Sequence, residues 1–215
     1  MAKTTDRGSI KRSPRAPAKV AAKASRQLTI IICAFAVGLV GVAGLTFSSL
    51  SRHIDSGSSE IGGPFSMIGQ DGRVVTNASL EGRPYLVFFG YTHCPDFCPT
   101  ALFDISAAFK ELGFDKQIAA LFVTVDPARD SPEILKDYLE HFDPRIIGLT
   151  GDDAKTQAIA KAFKVYFKKV PGENGDYTMD HTGIVYLMDK SGRFVSAFNL
   201  ARPPKQAAKE LEKYL

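Results

Sequence analysis

Thiols are scarce in this chain, which has 3 cysteines and 4 histidines among 215 residues. Chemistry that needs two thiols together is confined to one pair, Cys94 and Cys98, because Cys33 lies well away in an apolar run. Charge is absent altogether from Leu28 to Leu50, which is foreign to the surface of a soluble domain. Surplus positive charge is absent from the body of the chain. The whole carries +4, but residues 1–27 alone hold a local +7, which leaves −3 for the rest. The folded part therefore offers nothing that asks for nucleic acid. No internal repeat is visible. What remains, at 45% apolar content overall, suits one compact domain with appendages.

The basic arm, residues 1–27, sets Lys3, Arg7, Lys11, Arg12, Arg15, Lys19, Lys23 and Arg26 against Asp6 alone. The run behind it, residues 28–50, reads LTIIICAFAVGLVGVAGLTFSSL and is long enough to cross a hydrocarbon core of ~30 Å as a helix. The charge bias predicts a single-pass inner-membrane anchor with its N-terminus in the cytoplasm and everything after residue 50 in the periplasm. A cleaved signal peptide is the alternative, but its apolar region is usually shorter, and the cleavage site after Leu50 is poor. Gly38, Gly41 and Gly44 fit ordinary span composition, Cys33 is a small apolar side chain within the span, and His53 is an interfacial residue. Residues 51–63, polar and glycine-rich, read as a tether to a domain over 64–215.

Within that domain, Phe65 to Ile68 and Arg73 to Thr76 form a short hairpin about Asp71-Gly72. Tyr85 to Phe89 is a buried central strand, followed by a helix that stops at Gly113. Ala119 to Val125 is a second buried strand. A helix capped by Ser131 follows, with Pro132 in its first turn, then a short strand at Ile146 to Leu149 and a helix capped by Asp152 or Asp153. Tyr166 to Val170 pairs with Tyr177 to Met179. Gly183 to Met188 and Phe194 to Phe198 make a closing hairpin, and Pro203 to Leu215 a last amphipathic helix. This order predicts an α/β, thioredoxin-like sandwich with an N-terminal β-hairpin and an inserted hairpin, preceded by one transmembrane helix.

The sequence Phe88-Phe89-Gly90-Tyr91-Thr92-His93-Cys94-Pro95-Asp96-Phe97-Cys98-Pro99 puts the thiol pair at a strand-to-helix junction. Pro99 favours a helix that starts with Cys98 as its cap, which would promote the Cys98 thiolate. Three chemistries compete: a structural disulfide, redox catalysis as in Cys-x-x-Cys enzymes but with one extra residue, and a metal site. A peroxidase fits poorly, because Tyr91 stands where a threonine is usual. The histidines weigh toward metal. His181, in Met179-Asp180-His181-Thr182-Gly183, precedes the closing hairpin, in a loop that faces the cysteine loop in thioredoxin-like folds. Cys94, Cys98 and His181 make a soft three-coordinate site suited to Cu(I) and adaptable to Cu(II) with an added oxygen, whereas zinc wants a fourth ligand. His93 should point away from its neighbour Cys94, and His141 should be solvated. Asp126 is a possible oxygen ligand but reads better as cap-and-turn chemistry. Met179 reads as strand packing, and Asp180 as either a turn residue or the partner that orients His181.

Three separated motifs, GYTHCPDFCPTAL, VDPARDSP and DHTG, resemble the signatures of the Sco/SenC family of membrane-anchored copper proteins. The resemblance covers about Ile61 to Leu215 and extends to the single anchor ahead of the domain. It implies a thioredoxin-like fold, a copper site at Cys94, Cys98 and His181, and a part in maturing the dinuclear copper centre of cytochrome c oxidase subunit II. That part would be copper delivery, fed by an upstream copper donor protein, or reduction of the subunit's cysteines. On the first reading the chain is a metallochaperone rather than an enzyme. On the second, Cys94 and Cys98 are a catalytic redox pair.

Overall fold

The strand at the centre of the molecule is β3, Tyr85–Gly90, every residue of which is buried. A continuous apolar run without alternation is what a strand covered on both faces requires. Alternation of side chains sends Phe88 to one face, against Phe97 and Phe122, and Phe89 to the other, against Phe163 and Tyr186. The computed structural model describes residues 61–215. The basic arm, the run 28–50 with Cys33 and its glycines, His53, and the tether as far as residue 60 lie outside the described residues. Among the described residues, no helix is long and apolar enough to cross a membrane.

On one side β3 pairs in parallel with β4, Ala119–Thr124, and on the other antiparallel with β8, Val185–Met188. The main sheet is completed by β1 (Ser66–Gly69), β2 (Val74–Thr76), β5 (Ile146–Thr150) and β9 (Phe194–Ala197), in the order β2-β1-β5-β4-β3-β8-β9. Among the described residues the α-helices are α1 (Phe97–Leu112), α2 (Pro132–Leu139), α3 (Asp153–Ala162) and α4 (Pro204–Leu211). Helix α1 packs on α4, and α2 lies on β5. Ser131 caps α2 by accepting from the N–H of Ile134, and Asp152, rather than Asp153, caps α3 by accepting from Lys155. A mixed sheet with parallel crossovers and a closing antiparallel hairpin is the expected thioredoxin-like core.

The inserted hairpin forms a separate two-stranded sheet of β6 (Phe167–Pro171) and β7 (Tyr177–His181). It extends two residues beyond the expected end at Met179, because His181 itself pairs with Phe167. In the parallel pair, Gly90 stands opposite Thr124, so the cysteine loop and the Asp126-Pro127 turn leave the sheet at the same edge. Gly90 is required there. A Cβ on it would lie 2.6 Å from a Phe122 ring carbon and 2.8 Å from Cys98 Sγ, and Phe122 is itself fully buried. Gly90→Ala is therefore expected to destabilise the full chain by roughly 1–3 kcal/mol in denaturant unfolding. Unchanged stability would mean that the junction is not packed as described.

Candidate metal centre

Helix α1 begins at Phe97, with Asp96 at its cap, so the expected start at Cys98 is two residues late. Pro99 is the third helical residue. It is tolerated because none of the N–H groups in a helix's first turn has a partner within the helix. The Asp96 side chain makes no capping bond. Instead, the N–H of Cys98 donates to Cys94 Sγ at 3.3 Å, so one orphan donor of the helix is satisfied by a candidate ligand. An N–H at the positive end of a helix suits a sulfur that carries negative charge when it holds a metal.

Cys98 is fully buried beneath Gly90, whereas Cys94 is half-buried, and both are free thiols. Burial pushes the Cys98 pKa well above the ordinary thiol value, and its hydrogen bond with Cys94 acts in the same direction. The expectation that helix-start placement would favour its thiolate is therefore reversed. Loss of water outweighs the helix field.

His181 ends β7, with Nε2 3.6 Å from Cys98 Sγ. Its Nδ1 lies 3.2 Å from the carbonyl oxygen of Thr182. The tautomer assigned from that contact has Nδ1–H donating to the carbonyl, which leaves the Nε2 lone pair facing the sulfurs. Asp180, weighed as the orienting partner, is exposed on the other side of the strand, and the carbonyl takes that role. The imidazole is walled by Tyr91 edge-on at 5.8 Å and by Phe97 at 6.4 Å between ring centres. Gly183 makes room for Phe97, since a Cβ there would lie 2.8 Å from its ring.

The donor atoms of Cys94, Cys98 and His181 all lie within 4.8 Å of one another, the one such grouping of His, Cys, Asp and Glu among the described residues. Two sulfurs and one nitrogen set in a plane around an ion at ~2.0–2.3 Å would be roughly 4 Å apart, so the group needs little adjustment to close on a metal. The other sequence candidates lie elsewhere. His93 is exposed and bonded to Thr92 Oγ1 at 3.1 Å, and His141 is exposed. Asp126 is buried, pairs with Arg129 and accepts from the Tyr177 hydroxyl at 2.9 Å, so its carboxylate is occupied. Met179 packs against the core from β7. Sequence reasoning did not find the Thr182 carbonyl or the Tyr91 and Phe97 walls. The aromatic residues flanking the cysteines were the available signal.

The family model described as SCO1/SenC matches residues 54–215. The chain belongs to the SCO1/SenC family. Among its SCO relatives, a SCO2-like protein of Rickettsia felis is 39% identical over 150 residues, covering 68% of this chain and 73% of the relative. Mitochondrial SCO2 of Saccharomyces cerevisiae is 42% identical over 147 residues, covering 66% of this chain and 48% of that longer protein. Among solved structures, Bradyrhizobium japonicum ScoI with copper bound is 54% identical, with a TM-score of 0.70, covering 72% of this chain and 99% of that one. Yeast Sco1 with copper bound is 35% identical, with a TM-score of 0.67, covering 72% and 88%.

The two thiols should differ in reactivity. In the reduced, metal-free chain at neutral pH, iodoacetamide is expected to modify Cys94 at least about tenfold faster than Cys98, with the Cys98 rate climbing only in alkaline solution. Peptide mass spectrometry over time checks this, and equal rates would contradict the burial of Cys98.

Proposed function

We propose that this chain is a copper metallochaperone that carries one copper ion on Cys94, Cys98 and His181 and passes it to an oxidase subunit. The observation that carries the reading is the convergence of two thiolate-forming sulfurs and one imidazole nitrogen within 4.8 Å. Soft sulfur donors with a single nitrogen suit Cu(I), and an added oxygen would accommodate Cu(II). Support also comes from the copper-bound relative that is 54% identical to this chain. Copper here is cargo. Three-fold ligation leaves a position through which a client thiolate can enter before Cys94, the more accessible sulfur, lets go.

The client in this reading is cytochrome c oxidase subunit II, with its dinuclear copper centre, and the ion comes from an upstream donor protein. The SCO1/SenC resemblance is what supports that choice. The charge pattern of residues 1–50 supports a single-pass inner-membrane protein whose domain works in the periplasm. A second reading is favoured by the half-buried Cys94 beside the buried Cys98. There the Cys94 thiolate attacks a client disulfide, and Cys98 then resolves the mixed disulfide. A Cys94–Cys98 disulfide and a reduced client dithiol result, with two electrons transferred.

The test is copper binding by the detergent-solubilised full chain. The parent is expected to hold one copper, Cys94→Ser and Cys98→Ser to lose it, and His181→Ala to bind at least about tenfold more weakly. A His181→Ala chain that binds as tightly as the parent would remove the histidine from the site. Copper competes with protons for Cys98, whose pKa is raised, so affinity should increase from pH 6 to pH 8. Delivery and reduction separate in a deletion strain. Added copper should restore oxidase copper content if the chain delivers the metal, and should fail to if it reduces the client.

A further inference from the structure

The Val125-Asp126-Pro127-Ala128-Arg129-Asp130 turn contributes no donor to the metal group, yet it holds two buried carboxylates. Asp130 faces the cysteine loop. Its Oδ1 accepts from Thr92 Oγ1 at 2.6 Å, and its Oδ2 accepts from the Thr92 N–H at 3.1 Å and from Thr124 Oγ1 at 2.6 Å. Thr92 stands two residues before Cys94. Asp126 faces the inserted hairpin, where it pairs with the Arg129 guanidinium and accepts from the Tyr177 hydroxyl at 2.9 Å. Arg129 Nη1 donates to the Tyr177 carbonyl at 3.1 Å, and the guanidinium lies over the Tyr177 ring, 3.7 Å from its centre. The same guanidinium stands 5.8 Å from the centre of the Tyr91 ring, the wall of His181.

Tyr177 and His181 are four residues apart on β7 and therefore share one side of that strand. The hairpin they belong to forms its own two-stranded sheet, largely exposed, and a hairpin of that size is marginal unless something fixes it. We propose that Asp126 and Arg129, through Tyr177, are positioning residues that hold His181 against the cysteine loop, while Asp130 anchors the other end of the brace at Thr92. The inference rests on the proposed metal site. It assigns the turn a task beyond ending β4: fixing the gap between a nitrogen on one element and two sulfurs on another. Tyr177→Phe removes one bond of the brace, and Arg129→Met removes the guanidinium.

The experiment measures copper affinity of the detergent-solubilised full chain by chelator competition, for Tyr177→Phe and Arg129→Met, each alone and combined with His181→Ala. Arg129→Met is expected to weaken binding about 10- to 100-fold, and Tyr177→Phe about 3- to 10-fold. In the His181→Ala background both losses should shrink to less than about twofold, because the brace acts through the histidine. The Cu(II) spectrum of Arg129→Met should also lose the nitrogen coupling of a bound imidazole. Equal losses in both backgrounds, or no loss with His181 present, would overturn the brace. If Arg129→Met fails to fold, Tyr177→Phe decides, with thermal unfolding of the metal-free chain confirming its fold. Failure of the metal site itself would appear separately, as equal affinity of the parent and His181→Ala, and would overturn both.

Discussion

Burial of β3 on both faces is the constraint on which the rest of this structure depends. With Phe88 and Phe89 packed to opposite sides, the strand cannot slip by one residue without turning each ring toward the wrong layer. Its register therefore fixes where Gly90 falls, and Gly90 fixes the depth at which Cys98 can sit. From that point the chain needs only a short loop to bring Cys94 to the first turn of α1. The thiol pair is thus placed by the buried core.

The two sulfurs are unlike each other for the same reason. Cys98 is closed off from water by the strand above it, and burial dominates its protonation despite the helix start. Cys94 is half-buried and receives an N–H of the first turn. One sulfur is enclosed by the core while the other is partly open to solvent, an asymmetry that would suit the proposed release of a carried ion. His181 completes the set from an element outside the main sheet, so the nitrogen is the ligand whose distance can vary most. That is where the Asp126–Arg129–Tyr177 contacts act.

Much of the core was legible because it obeys local rules. Unbroken apolar runs bounded by glycine, proline and aspartate read correctly as the strands at Tyr85 and Ala119, and Ser131-Pro132 marked a helix start that the structure retains. The grouping of Cys94, Cys98 and His181 was legible through spacing, chemistry and the order expected of a thioredoxin-like chain. The start of α1 was not, because proline is accommodated throughout a first turn and so marks its position only to within about two residues. The state of Cys98 was hidden too, since its position on the helix says nothing of the strand that covers it. The Asp126–Tyr177 and Arg129–Tyr177 contacts join residues 51 and 48 apart, and no local pattern distinguishes a turn that braces a distant hairpin from one that merely ends a strand.

The proposed site holds one copper ion jointly by the two sulfurs and the His181 nitrogen. X-ray absorption at the copper edge, on the copper-loaded full chain, tests it most directly. Two sulfur neighbours and one nitrogen neighbour are expected, the nitrogen showing the outer scattering of an imidazole ring. A shell of sulfur alone, or one of nitrogen and oxygen without sulfur, would contradict it.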